Sequence, residues 1–318
     1  METIDDSDLS NLLAAFGLSA PARLSDGPVA SGRLGSIWRL DTADGSWAVK
    51  VVGPNVSADD EAELLNGAAF QEAAVAAGIP TPSVRRSTEG QVIADIGGAR
   101  VRLHDWVAVE PPAVDLDPVD LGRLVARLHQ VEFRGSIGVN PWHTEPVGAR
   151  LWTEVLAQLR ASRAPYAEEL AGLVPEIVEL EGLLGGEPRA LRTCHRDLWA
   201  DNVRRSASGG ICVFDFDNAG LADPNQELAL VLVEFAYADS ARSLAIRDAY
   251  AENGGPGRVT SPSDFAMPIA QLAHIVVTGC RRWLAATTDD ARADNEAWVR
   301  EFIDRPLTKA VVETLLAH

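Results

Sequence analysis

The sequence predicts an α+β fold in two parts, a small β-rich part of about 100 residues followed by a larger α-rich part. Three observations carry this expectation. Three short runs of strand-forming residues, with hairpin signals between them, crowd into the stretch from Arg23 to Val52. Beyond Pro112, apolar residues recur at helical spacing almost to the end of the chain. One stretch interrupts those helices: "TCHRDLWADNVRRSASGGICVFDFDNAG", from Thr193 to Gly220, in which a polar loop is followed by a β-branched, aromatic run.

In order, "RLSDGPVAS", "SIWRLDT" and "SWAVKVV" read as antiparallel strands; Asp26-Gly27 interrupts the first, and Asp44-Gly45 is a hairpin turn between the second and third. "SADDEAELLNGAAFQEAAVAAGIPTP" reads as helical. Ser57 with Asp60 resembles a capping box, and Gly78 followed by Pro80 ends the segment. Gly67 interrupts it, so one helix or two shorter ones satisfy the pattern. Strands are expected around Val84–Ser87 and Gln91–Ile96, then "ARVRLHDWVAVEPP" leads into a connector near His104–Ala108. Asp117, Pro118 and Asp120 open a helix in which Leu121, Leu124, Val125 and Leu128 recur at i, i+3, i+4 and i+7. The expected division is residues 1–103, a connector 104–108, and residues 109–318, with no internal repeat.

A length of 318 residues suits roughly two domains, and 47% hydrophobic with 23% charged residues is a globular composition. The start, "METIDDSDLSNLLAAF", is acidic where a secretory signal is basic. The longest apolar stretch, from Ile269 to Cys280, is broken by Gln271, His274 and Thr278 and falls short of the roughly 18 residues a membrane span needs. Cys194, Cys212 and Cys280 are scattered and odd in number, so neither a metal cluster nor a disulfide framework is expected. A soluble, cytoplasmic protein without a membrane partner follows. Lys+Arg 28 against Asp+Glu 46, a net charge of −18, argues against nucleic acid, whose phosphates require a basic face. The acidity fits a solvated surface or a field that draws in a cationic small molecule, and charge alone does not separate the two.

Asp197 and Asn202 lie five residues apart in the interrupting loop, and Asp215 ends the apolar run after the Gly209-Gly210 turn. A hairpin there returns the strand end to the loop and gathers a carboxylate, an amide carbonyl and a second carboxylate. Hard cations such as Mg²⁺ take such oxygens, usually one or two carboxylates plus the oxygens of a nucleotide. The remaining carboxylate, Asp197, is then free to accept a proton from a hydroxyl, and a metal clamp with a positioned acceptor is the equipment of phosphoryl transfer. Asp217 completes an Asp-x-Asp that either faces a second metal or caps its own turn. His104, His129, His143 and His274 have no metal-binding spacing and read as packing residues.

"HRDLWADN" and "VFDFDNAG" resemble the catalytic-loop and metal-loop motifs of the aminoglycoside phosphotransferase family, small-molecule relatives of protein kinases. "LGRLVARLHQ" resembles that family's helix at the head of the large lobe, and "AAGIPTPSV" its helix-to-strand passage in the small lobe; the resemblance runs from Leu24 to Ala236. It implies an α+β, protein-kinase-like bilobal fold, Mg²⁺, and ATP or GTP as co-substrate. By this resemblance Asp197 is the catalytic base or hydroxyl-orienting group, and Asn202 and Asp215, with Asp217 as a further candidate, hold the metal. His195 supports the loop, Arg196 has no catalytic duty, and Asp223 resembles a structural anchor for the loop. Lys50 resembles the lysine that contacts the α- and β-phosphates, with Glu72 as its acidic partner and Glu61 and Glu63 as rivals. Gly32 and Gly35 stand where the phosphate loop belongs, although "SGRLGSIW" departs from G-x-G-x-x-G. In "VRLHDWV", backbone groups around Asp105 and Val107 would read adenine. The family builds its acceptor pocket from later helices, which makes Glu234 and Asp239 the first acceptor candidates, followed by Asp264, Glu296 and Glu301. The implied function is ATP-dependent phosphorylation of a hydroxyl on a small, cationic molecule such as an aminoglycoside, with antibiotic resistance as the role. The alternatives are a metabolic kinase for an amino sugar, choline or similar alcohol, and a non-catalytic nucleotide-binding regulator. A monomer or weak dimer is expected.

Overall fold

The computed structural model describes residues 6–32, 35–53, 57–186 and 190–317. The chain forms two compact units, one made of residues 1–113, 131–137 and 201–219 and the other of 114–130, 138–200 and 220–318. The fold is α+β and protein-kinase-like. The first unit gathers segments far apart in sequence, and residues 201–219 join it rather than staying with the later helices.

The first unit opens with helix α1 (Asp6–Phe16), which the sequence reading did not anticipate. Strands β1 (Ala22–Leu24), β2 (Ala30–Gly32), β3 (Gly35–Thr42) and β4 (Gly45–Val52) follow, the first predicted run being split in two at Asp26-Gly27. Trp47, Val49 and Val51 alternate with Ala48 and Lys50 along β4, so one face of the strand is apolar and the other carries the lysine. The apolar face packs with Leu12 and Phe16 of α1 and with Leu40 into one core. Helix α2 (Ala58–Ala76) starts at Ser57 with the predicted capping box to Asp60 and runs unbroken through Gly67. Gly67 is there for close approach: a Cβ at this position would lie 2.3 Å from the Phe216 carbonyl oxygen. Strands β5 (Val84–Arg85), β6 (Ala94–Ile96) and β7 (Ala99–Asp105) complete an antiparallel sheet ordered β1-β3-β4-β7-β5, with β2 on β3 and β6 on β7.

The second unit begins with α3 (Pro118–His129), whose N-cap Asp117 accepts the Val119 and Asp120 N–H groups. Leu121, Leu124, Val125 and Leu128 are buried, as their spacing requires. Helices α4 (Ala149–Ala161) and α5 (Ala167–Glu181) lead to the short strand β8 (Arg192–Cys194). The chain then supplies the first unit with a hairpin, β9 (Val203–Arg205) and β10 (Ile211–Val213), and a turn at Phe216–Asn218. Strand β11 (Gly220–Ala222) pairs antiparallel with β8, and α6 (Pro224–Phe235), α7 (Ser240–Glu252), α8 (Ala266–Ala285), α9 (Asp289–Asp304) and α10 (Lys309–Leu316) complete the unit. Trp152, Leu159, Tyr166, Leu170, Val276 and Cys280 form one of its helical cores. No helix among the described residues is long and apolar enough to cross a membrane, and the three cysteines are free and buried.

Candidate active site

Lys50 and Arg102 stand directly opposite one another on β4 and β7. Two cations in neighbouring positions on one sheet face repel, so an anion must lie between them. That anion is Asp217. Its carboxylate accepts Arg102 Nη1 at 2.8 Å and Nη2 at 2.7 Å, and Lys50 Nζ at 2.5 Å. Lys50 Nζ also donates to Asp215 Oδ1 at 2.9 Å. The side chains of Lys50, Arg102, Asp217 and Asp215 are 14%, 2%, 8% and 39% exposed. Burial opposes the charged form of Asp217, yet Lys50 and Arg102 outweigh it and hold the carboxyl far below its usual range. Burial likewise opposes charge on Lys50, and Asp217 and Asp215 overcome it to raise the ammonium. His104, beside this group, is pushed down to about 3 by burial and then by the Arg102 and Lys50 charges, so it is neutral at ordinary pH.

This geometry corrects one expectation. Glu72 does not partner Lys50: it holds Arg86 through both carboxylate oxygens at 2.7 Å. The rival Glu61 pairs with Arg100. The reason lies in α2, where Gly67 lets the Phe216 backbone come close, and the neighbouring buried Asn66 donates to the Ala219 carbonyl and accepts the Ser136 N–H. The 215–219 segment is thereby docked against α2, and the lysine takes its acids from that segment. Both oxygens of Asp217 are engaged by Arg102 and Lys50.

Asn202 and Asp215 are brought together by the β9–β10 hairpin, which the Phe214 N–H closes onto the Asn202 carbonyl at 2.8 Å. Asp215 adopts a left-handed backbone with φ of 55°, unusual for a residue other than glycine and frequent at functional positions. These oxygens, with one Asp215 oxygen on Lys50 and its side chain partly open, are the hard donors that a divalent cation takes. Gly32 and Gly35 pair across the end of β2 and β3; Arg33 and Leu34 between them lie outside the described residues. At Gly35 a Cβ would lie 1.8 Å from the Val51 carbonyl oxygen, so only glycine closes this end of the hairpin. At the connector, Asp105 N–H is bonded to the Ser83 carbonyl and Trp106 N–H to that of Ser46. Val107 carries no backbone hydrogen bond among the described residues.

Asp197 belongs to the second unit and is half-buried, between the buried Arg196 and Leu198. Its loop is held from behind by Glu227 of α6, a fully buried carboxylate that accepts the backbone N–H groups of His195 and Arg196. Glu227 in turn lies 2.7 Å from His129 Nε2, and His129 Nδ1 lies 2.7 Å from the Tyr250 hydroxyl. Burial would raise the Glu227 carboxyl, but the His129 hydrogen bond leads the interactions that bring it below its ordinary value. Gln271 Nε2 adds a bond to the Arg196 carbonyl at 2.7 Å, and Glu234 accepts the Ala200 N–H at 3.0 Å. Glu227, one helical turn beyond Asp223, thus anchors the loop. Asp223 caps α6 through the Asn225 N–H, whereas Glu227, which the sequence reading passed over, holds the loop. Its signal was an acid at the head of an apolar run, "ELALVLV", inside α6. Cys194, His129 and Glu227 bring ligand-type atoms within 4.8 Å of one another, but both His129 nitrogens are hydrogen bonded and burial keeps the Cys194 thiol protonated. The cluster is the loop's support.

Of the acceptor candidates, Asp239 caps α7 through the Arg242 N–H, Asp264 accepts the Thr260 and Ser261 N–H groups, and Glu296 pairs with Arg300 on its own helix. Glu234 touches the catalytic loop through the Ala200 N–H.

The family model that matches and the solved structures that the chain resembles make it a small-molecule kinase. The chain belongs to the phosphotransferase enzyme family, whose model matches residues 27–262. Among solved structures it is similar to a spectinomycin phosphotransferase in complex with ADP and spectinomycin, at 14% identity over 99% of each chain and a TM-score of 0.69. A microcompartment-associated aminopropanol kinase aligns at 15% identity over 98% of this chain and 100% of that one, with a TM-score of 0.65. Amicoumacin kinase in complex with AMP-PNP and Ca²⁺ aligns at 14% identity over 96% of each, with a TM-score of 0.63. No curated protein matches the chain.

Proposed function

We propose that the protein is an ATP-dependent O-phosphotransferase that moves the γ-phosphoryl group to a hydroxyl of a small, cationic molecule. The observation that carries this reading is the meeting of Lys50 and Asp215, 165 residues apart in sequence, at 2.9 Å: a phosphate-directed cation and a metal-directed carboxylate in one cluster. Lys50 binds the nucleotide phosphates, the Val107 backbone reads the base, and Gly32 and Gly35 let the hairpin approach the phosphates. Asn202 and Asp215 would hold Mg²⁺, which when bound neutralises charge on the transferring group. Asp197 orients the acceptor hydroxyl and takes its proton as the oxygen attacks the γ-phosphorus, the bond to the β-phosphate oxygen breaks, and ADP leaves.

The net charge of −18 and Glu234 beside the catalytic loop support a cationic acceptor. An aminoglycoside or related antibiotic fits it, with resistance as the role. The second reading, a metabolic kinase for an amino alcohol or amino sugar, gains from the engagement of Asp239, Asp264 and Glu296 in caps and pairs, which favours an acceptor with few cationic groups. A coupled ADP-release screen over aminoglycosides, other antibiotics, amino sugars and amino alcohols tests both. Acceptor-dependent ADP release with one class identifies the substrate, and its absence with all of them, at saturating Mg²⁺ and nucleotide, refutes the transferase reading.

A further inference from the structure

We infer that Asp217, clamped by Arg102, is the counter-ion that keeps Lys50 directed at the nucleotide phosphates, and that Arg102 is a positioning residue for nucleotide binding. The inference rests on the phosphate-binding role proposed for Lys50. In the arrangement expected from the sequence, an acid on α2 holds this lysine. Here α2 offers none: Glu72 is committed to Arg86 and Glu61 to Arg100.

Two carboxylates reach Lys50 Nζ instead, and they differ in kind. Asp215 is partly exposed and contributes one oxygen at 2.9 Å. Asp217 is buried, and its oxygens are both taken by fixed cations. When Asp215 turns to a metal, Asp217 remains, so the lysine keeps a partner throughout. Arg102 is what makes Asp217 reliable. Its planar guanidinium grips the carboxylate through two parallel bonds, which sets the carboxylate's orientation. At 2% exposure Arg102 is buried, and its guanidinium hydrogen bonds go to Asp217. Lysine at this position would keep the charge and lose the fork. The sheet explains why the device is needed: Lys50 and Arg102 are cross-strand neighbours, and without Asp217 each would push the other aside.

The test is equilibrium binding of ADP and of adenosine, with and without Mg²⁺, to the full chain and to Arg102→Lys, Asp217→Asn and Glu72→Gln. Adenosine shares the base site and lacks phosphates, so it reports folding and pocket integrity. Arg102→Lys and Asp217→Asn are expected to weaken ADP about ten-fold or more, equivalent to about 1.4 kcal/mol, both with and without Mg²⁺. Adenosine affinity should stay within about two-fold, a change too small to reach half a kcal/mol. If Asp217→Asn does not fold, Arg102→Lys, which retains the charge, carries the same comparison. Equal loss of ADP and adenosine in a folded variant would reduce Arg102 to a structural role and overturn the inference. So would a loss confined to Mg²⁺-containing samples, which would make Asp217 a metal ligand, or a loss in Glu72→Gln with Asp217→Asn unaffected. Wild-type protein that binds neither ligand refutes the nucleotide reading as a whole; wild-type that binds ADP while the variants match it refutes this inference alone.

Discussion

Replacing Glu227 by alanine is expected to loosen the catalytic loop and destabilise the second unit while sparing nucleotide binding. The carboxylate is fully buried and accepts the His195 and Arg196 N–H groups and the His129 ring. Removing it strands these donors. Each unsatisfied buried group costs about 1–3 kcal/mol, and loss of one member of a buried charged group costs about 3–5 kcal/mol in total. At roughly 2–4 °C per kcal/mol for a unit of this size, the melting temperature should fall by roughly 10 °C. Glutamine, which keeps the shape and loses the charge, should fall less. The pH dependence has a definite sign. Glu227 titrates below its ordinary value of 4.5 in the fold, so its contribution is complete above that value and is lost as pH falls through the lower, folded one. The gap in melting temperature between wild type and Glu227→Gln should therefore be widest near neutrality and narrow toward acid. Thermal melts across pH, with ADP titrations alongside, measure all three effects. A Glu227→Ala protein that melts with the wild type and transfers phosphate at the wild-type rate would refute the reasoning.

Asp197→Ala should lower the transfer rate by around two to four orders of magnitude, the usual worth of a positioned proton acceptor, with Mg²⁺-nucleotide affinity nearly intact; single-turnover assays beside ADP titrations decide. Asn202→Ala and Asp215→Ala should both weaken metal-dependent nucleotide binding, and raising Mg²⁺ should rescue the first more than the second, because Asp215 brings formal charge; identical Mg²⁺ responses would refute the division. Gly67→Ala places a Cβ 2.3 Å from the Phe216 carbonyl oxygen and should cost about 1–3 kcal/mol by overpacking, although alanine is the better helix former; a melting temperature at or above wild type would show that α2 and the 215–219 segment separate freely.

Features that depend on neighbours in sequence were legible. The β3–β4 hairpin at Asp44-Gly45, the capping box at Ser57 and Asp60, and the start of α3 at Asp117 are set by contacts within a few residues. So is the hairpin at Gly209-Gly210, read from the strand-forming run that follows the turn; its first strand, β9, was not read. Helix α1 had a signal, Leu9, Leu12, Leu13 and Phe16 on one face, but eleven residues give that face only three turns, and an acidic start obscures it. Gly67 misleads for the opposite reason. In an isolated helix a glycine costs stability, and the backbone that requires it arrives from Phe216, far along the chain.

The partner of Lys50 shows where local reading ends. A lysine on a strand announces that it needs an acid, and the following helix supplies candidates at plausible distances. Which one it meets depends on what else occupies the space. Arg86 takes Glu72, Arg100 takes Glu61, and Arg102, set beside the lysine by the β4–β7 register, requires an anion of its own. One acid on α2 would leave one of these two cations without a partner. Asp217, from a segment that Gly67 allows to dock, satisfies both with a single carboxylate. The same reasoning applies to Asp223 and Glu227. Both are acids at the start of α6: Asp223 caps the helix through the Asn225 N–H, and Glu227, a turn later, reaches the catalytic loop. In both cases the competing local partner decides the role.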